Sequence, residues 1–223
     1  MAIDTSSHLS AVALFDCVAM ASICEDTRDI GRGHAEIVLD QIRSCLTQSS
    51  VGYNDISKIS VSTGPGSFSG IRVGLATARG LGLGLNIPVV GISTLHACEF
   101  LALKTGFARP FLSVLDAGRN QYYCKFSGRE HCWIGESDQV VHELSNTIDG
   151  ICGSGAAAIS AHLSEEPEII HELRAAPISV YAELGSIAKE SGDLPEPLYL
   201  RSADAKPQSN SPVSIRISEI HDG

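Results

Sequence analysis

Basic residues are scarce in this 223-residue chain: 16 Lys and Arg stand against 26 Asp and Glu, a formal charge of −10. A protein that grips nucleic acid unaided needs a positive field, so this balance argues against nucleic-acid binding by the chain alone. Charged residues of both signs make up only 19%, beside 43% hydrophobic residues, which excludes wholesale disorder and leaves ample material for a core. No long apolar run suits a membrane. The best stretch, Gly80 to Cys98, is interrupted by Asn86, Pro88, Ser93, Thr94 and His96. The opening Ala2-Ile3-Asp4 lacks a basic flank and an apolar signal core, so a cytoplasmic protein is expected. The seven cysteines form no C-x-x-C pair and are odd in number, which reads as buried free thiols rather than a disulfide framework or zinc site. None of the eight histidines lies three or four residues from another, so no helical metal pair is expected.

What is present is an alternation of short strands and helices. Met1–Thr5, Ala11–Asp16 and Val18–Ile23 read as an antiparallel start to a sheet. A helix is expected from His34 to Gln48, with Ala35, Val38, Leu39, Ile42, Cys45 and Leu46 on its core arc. Strand 58–63, helix 71–84, strand 87–92 and a helix running to Lys104, capped by Ser93 or Thr94, follow. After a break at Thr105-Gly106, strands 110–115 and 121–126 echo the opening, with a strand near 149–155 and a helix over 178–190. The expected class is α/β, with helices packed on a sheet.

Three motifs stand out. Asp4-Thr5-Ser6 and Asp116-Ala117-Gly118 each follow a strand, and such a pair of acidic turns suits Mg²⁺ and phosphate in duplicated ATPase folds, though each is also an ordinary turn. Gly64-Pro65-Gly66-Ser67-Phe68-Ser69-Gly70 lies between a strand and a helix. It lacks the lysine of a P-loop, so it serves either an anion or a close backbone contact. The helix after it is apolar around its whole circumference, with small residues recurring as Gly74/Ala78/Gly82 and as Ala76/Gly80/Gly84. Such a helix needs cover on more than one side.

Asp4-Thr5-Ser6, His34-Ala35-Glu36, Thr63 through Arg72, Ile87 through Leu95 and Pro197-Leu198-Tyr199-Leu200-Arg201 together resemble the bacterial TsaB family. That family is glycoprotease-like and takes part in making threonylcarbamoyladenosine on tRNA. The resemblance implies an actin-like ATPase (ASKHA) fold: two lobes of βββαβα type, with an N-terminal lobe over 1–104, a reduced C-terminal lobe over 105–201, and a polar tail over 202–223 expected to fray.

It also implies a non-catalytic accessory subunit, with no catalytic residues of its own. This subunit would bind and activate a TsaD-type enzyme that modifies the tRNA adenosine next to the anticodon. TsaD binds a metal through an H-x-x-x-H pair whose positions here are Thr94 and Cys98, so no metal or cofactor is expected on this chain, and ATP and metal are assigned to partner subunits. The expected assembly includes a TsaE-type ATPase, with tRNA reached only through the complex and no membrane. The partner surface is expected on two helices, at His34, Ile37, Gln41 and Ser44 and at Arg72, Leu75, Arg79 and Leu83. The same patch could support a homodimer when the partner is missing. Asp4, Thr5, Ser6, Gly64, Pro65, Gly66, Ser67, Phe68 and Gly70 are expected to face the partner or a nucleotide. The competing readings are an ATP-hydrolysing actin-fold enzyme using Asp4 and Asp116, and a peptidase, which no G-x-S-x-G elbow supports.

Overall fold

The two halves of the chain build the same sheet twice. The computed structural model describes residues 1–144, 148–190 and 192–201; the tail at 202–223 lies outside them. In the first half, strands β1 (Ala2–Asp4), β2 (Leu9–Asp16), β3 (Ala21–Asp29), β4 (Ile59–Gly64) and β5 (Val89–Ser93) lie in the order β3-β2-β1-β4-β5. In the second, β6 (Phe111–Gly118), β7 (Gln121–Phe126), β8 (Cys132–Glu136), β9 (Gly150–Cys152) and β10 (Glu168–His171) lie in the order β10-β9-β6-β7-β8. Each sheet pairs its first three strands antiparallel and its last two parallel, so order and sense repeat strand for strand.

Among the described residues, six α-helices layer these sheets. Helices α1 (His34–Ser49) and α2 (Phe68–Leu85) cover the outer face of the first sheet, and α4 (Ser137–Leu144) and α5 (Ala156–Ser160) that of the second. Between the sheets lie α3 (Thr94–Lys104) and α6 (Ile178–Ile187). Alternation along the strands serves both faces. Ile3, Val12 and Leu14 point to α1 and α2, while Ala2, Ala11 and Ala13 point to α6. Those alanines leave room for a close helix, and Gly185 of α6 sits against Ser60, where a Cβ would come within 2.3 Å of the serine Cβ. Helix α6 therefore packs on the first sheet although it follows the second, and α3 packs against β6, β7 and β9.

Several elements differ from expectation. Strand β3 runs over 21–29 rather than 18–23, because Val18 and Met20 fall in the turn and the polar run Glu25–Asp29 pairs with β2. Helix α2 begins at Phe68, ahead of Ile71, because Ser67 caps it by accepting from Gly70 N at 3.3 Å. Ser93 takes the N-cap position of α3 as expected but makes no side-chain capping bond, and Thr94, already inside the helix, donates to Pro65 O at 2.6 Å. Strands β8 and β10 and helices α4 and α5 were not anticipated.

Candidate functional site

The Gly64–Gly70 loop is built onto the first turn of the chain. A Cβ on Gly66 would lie 2.2 Å from Ser6 O, and one on Gly74 would lie 2.5 Å from Thr5 Oγ1. Ser67 N donates to Ser6 O at 2.7 Å. The glycines thus serve a close backbone contact rather than an open anion cradle. Asp4 is buried and accepts from Ser6 N at 2.9 Å and Ser6 Oγ at 2.7 Å. The second half repeats the device: Asp116 accepts from Gly118 N at 2.7 Å, Gly155 N donates to Val114 O at 3.1 Å, and a Cβ on Gly153 would lie 2.3 Å from Val114 O. A cavity of about 990 Å³ lies between the two turns, with a lining that includes Ser6, Ser67, Asp116, Ser154, Arg174 and Arg201; Asp116 reaches it, whereas Asp4 is buried outside the lining.

A strap formed by residues 195–201 runs over this cavity. Leu198 N donates to Thr63 O at 2.8 Å, and Arg79 donates to Pro195 O. The Arg72 guanidinium lies 3.7 Å over the Phe68 ring and donates through Nε to Tyr199 Oη at 2.9 Å, with the Phe68 and Tyr199 rings 4.9 Å apart. Arg201 reaches the second half, donating to Gly118 O at 3.2 Å and to Gln121. The Pro197–Arg201 motif therefore ties the signature loop to the β6–β7 hairpin. Arg174, in the same cavity, carried no signal in the sequence.

The residues expected at a partner surface divide sharply. Gln41 is fully buried: its Nε2 donates to Ser10 O at 3.0 Å and Asp26 O at 3.1 Å, and Ser10 Oγ donates to its Oε1. His34 is buried with Nε2 donating to Leu9 O at 3.1 Å, and Leu75 is only 3% exposed within the core. These three belong to the interior, because the hairpin under α1 offers backbone carbonyls that need polar partners and Leu75 points at the sheet. Ile37, Ser44 and Arg79 are half-buried, Arg72 is exposed, and Leu83 is 86% exposed. Leu39, expected in the core, is 51% exposed. The two small-residue rows of α2 also separate. Gly74, Ala78 and Gly82 are buried on the sheet side, whereas Ala76, Gly80 and Gly84 are exposed, and among the described residues nothing beyond the helix's own backbone and the chain neighbours lies within 4 Å of a Cβ at Gly80 or Gly84.

The positions of the relative's metal pair do not reproduce it. Thr94 donates to Pro65 O, and Cys98 points at Cys152 on the second sheet. A hydroxyl committed to a carbonyl and a thiol facing elsewhere do not fit that pair. Cys98 Sγ instead lies 3.6 Å from Cys152 Sγ and 3.8 Å from His171 Nε2. The Cys98 thiol pointing at the Cys152 sulfur holds Cys152 down to about 6, and the same contact together with burial raises Cys98. Burial opposes protonation of His171, but its contacts with Cys152 and the Cys98 carbonyl outweigh this and raise it.

A duplicated sheet with a glycine loop locked onto its first turn defines a class: the model of the family "TsaD: tRNA N6-adenosine threonylcarbamoyltransferase" matches residues 28–175. Among curated proteins, the chain is 30% identical over 161 residues to the tRNA threonylcarbamoyladenosine biosynthesis protein TsaB of Escherichia coli K12, covering 67% of each. It is 28% identical to the TsaB of Haemophilus influenzae Rd, covering 91% of this chain and 93% of that one. The chain belongs to the TsaB family. A solved structure, YeaZ from Pseudomonas aeruginosa, shares the fold with a TM-score of 0.73 at 20% identity, over 89% of this chain and 98% of that one. No helix among the described residues is long and apolar enough to cross a membrane.

Proposed function

We propose that this chain is a non-catalytic accessory subunit that binds and activates a TsaD-type enzyme in threonylcarbamoyladenosine modification of tRNA, within an actin-like ATPase frame. The observation that carries the reading is the outer face of α2. Gly80 and Gly84 each cost a helix about 1 kcal/mol relative to alanine. Among the described residues, nothing outside the helix's own backbone and the chain neighbours stands within 4 Å of either Cβ position, so no packing seen there repays that cost. Beside them Leu83 is 86% exposed. Glycines without internal use beside a bare leucine suit the close approach of a helix from another chain. The relatives' names place them in the same modification, and the net charge of −10 leaves tRNA contact to the partner.

Co-purification with the TsaD-type subunit tests this. Leu83→Glu should abolish capture while leaving the melting temperature unchanged. Capture at wild-type affinity by a folded Leu83→Glu, Gly80→Arg double variant would place the surface elsewhere. A second reading, nucleotide binding, rests on the cavity between the acidic turns. Calorimetric titration with Mg-ATP tests it, and saturable uptake by the isolated chain would favour it.

A further inference from the structure

We propose that Cys98, Cys152 and His171 form a binding site for a borderline-soft divalent cation, Zn²⁺, that clips α3 to the inner face of the second sheet. The three donors come from α3, β9 and β10, and are separated by 54 and 73 residues from Cys98. Their ligand atoms nevertheless all lie within 4.8 Å of one another. A tetrahedral zinc ion with sulfur at about 2.3 Å and nitrogen at about 2.0 Å holds its ligand atoms roughly 3.5–3.8 Å apart. The observed separations from Cys98 Sγ, 3.6 Å to sulfur and 3.8 Å to nitrogen, already match that spacing.

The donor set selects the metal. Two thiolates and an imidazole favour zinc over magnesium, calcium or manganese, which take oxygen. Each cysteine gives up its proton to solvent as it ligates, and the histidine binds as the neutral ring. Ser113 Oγ, 3.4 Å from Cys152 Sγ, adds a polar group to the same pocket. Burial alone does not account for the cluster. Cys124 is equally buried, yet its sulfur donates to a backbone carbonyl, Tyr122 O at 3.7 Å, as a thiol used for packing should. Only Cys98 is shared with the positions of the relative's helical pair, and the other two donors come from the second half of the chain.

The site sits where the halves meet. Helix α3 begins in the first sheet's connection and packs on the second sheet, so a metal joining it to β9 and β10 would pin one half to the other. Because a structural cation binds the folded state and not the unfolded one, loading should raise the melting temperature.

The test uses the full chain purified under reductant. Elemental analysis should find about one zinc per chain, lost in Cys152→Ser and in His171→Gln and kept in Cys124→Ser. Cobalt titrated into the metal-free wild type should give tetrahedral d–d bands and a thiolate-to-metal charge-transfer band, a readout independent of whether the variants fold. No zinc uptake and no cobalt spectrum from the fully reduced wild type would overturn the site. Undiminished zinc in both ligand variants, or a Cys98–Cys152 disulfide as the state of the purified protein, would overturn it equally.

Discussion

The carbonyl oxygen of Thr5 occupies the place where a side chain on Gly70 would begin: a Cβ there would lie 1.9 Å from it, while Thr5 Oγ1 donates to Gly70 O at 2.7 Å. The first contact cannot yield by rotating a side chain, since a Cβ fixed to one backbone would meet the carbonyl of another. Gly70→Ala should therefore destabilise the fold by about 3 kcal/mol. Gly80→Ala, on the open side of the same helix, should stabilise it by up to about 1 kcal/mol. Denaturant unfolding of the two variants measures the contrast, and equal midpoints would contradict it.

Gln41 offers a second test of which helix faces are interior. Replacing it by leucine removes partners from Ser10 Oγ and from the carbonyls of Ser10 and Asp26, and should cost about 2 kcal/mol or more. A surface glutamine would lose almost nothing. Thermal melts distinguish these outcomes.

Much of this was legible in the sequence, and the failures share a cause. Strands with apolar alternation, such as β2 and β6, and helices with a clear apolar arc announced themselves. Strand β3 is expected at 18–23 and lies at 21–29, because its edge position lets the polar run Glu25-Asp26-Thr27-Arg28-Asp29 stay exposed; the short edge strands β8 and β10 carry no alternation that marks them. On α1 the apolar arc placed Leu39 inside and Gln41 on the flank, and the structure reverses them. A helix lying over a hairpin with unmet carbonyls buries an amide in preference to an aliphatic chain. The signature loop was visible as glycines, but its purpose was not, because the contact runs to Thr5 and Ser6 some sixty residues away. The Cys98–Cys152–His171 cluster had no local spacing to reveal it, since three separate elements supply it.

Glu99 on α3 and Lys125 on β7 form an ion pair in which each side chain is 7% exposed, and Glu99 also accepts from Gly128 N at 2.6 Å. Removing one partner strands a buried charge. Glu99→Leu or Lys125→Met alone should cost about 3–5 kcal/mol, and the double variant should recover most of that loss. A double-mutant cycle by chemical denaturation checks it; additive losses would show that the two groups do not act as a pair.

The central claim is that this chain acts through a TsaD-type subunit rather than by itself. The most direct measurement is formation of threonylcarbamoyladenosine on tRNA by the remaining components, with the wild-type chain, with Leu83→Glu, and with no chain added. The account predicts strong stimulation by the wild type, rates near the no-chain background with the variant, and no modification by the wild-type chain alone. Equal rates with and without the chain, or modification by the isolated chain, would contradict it.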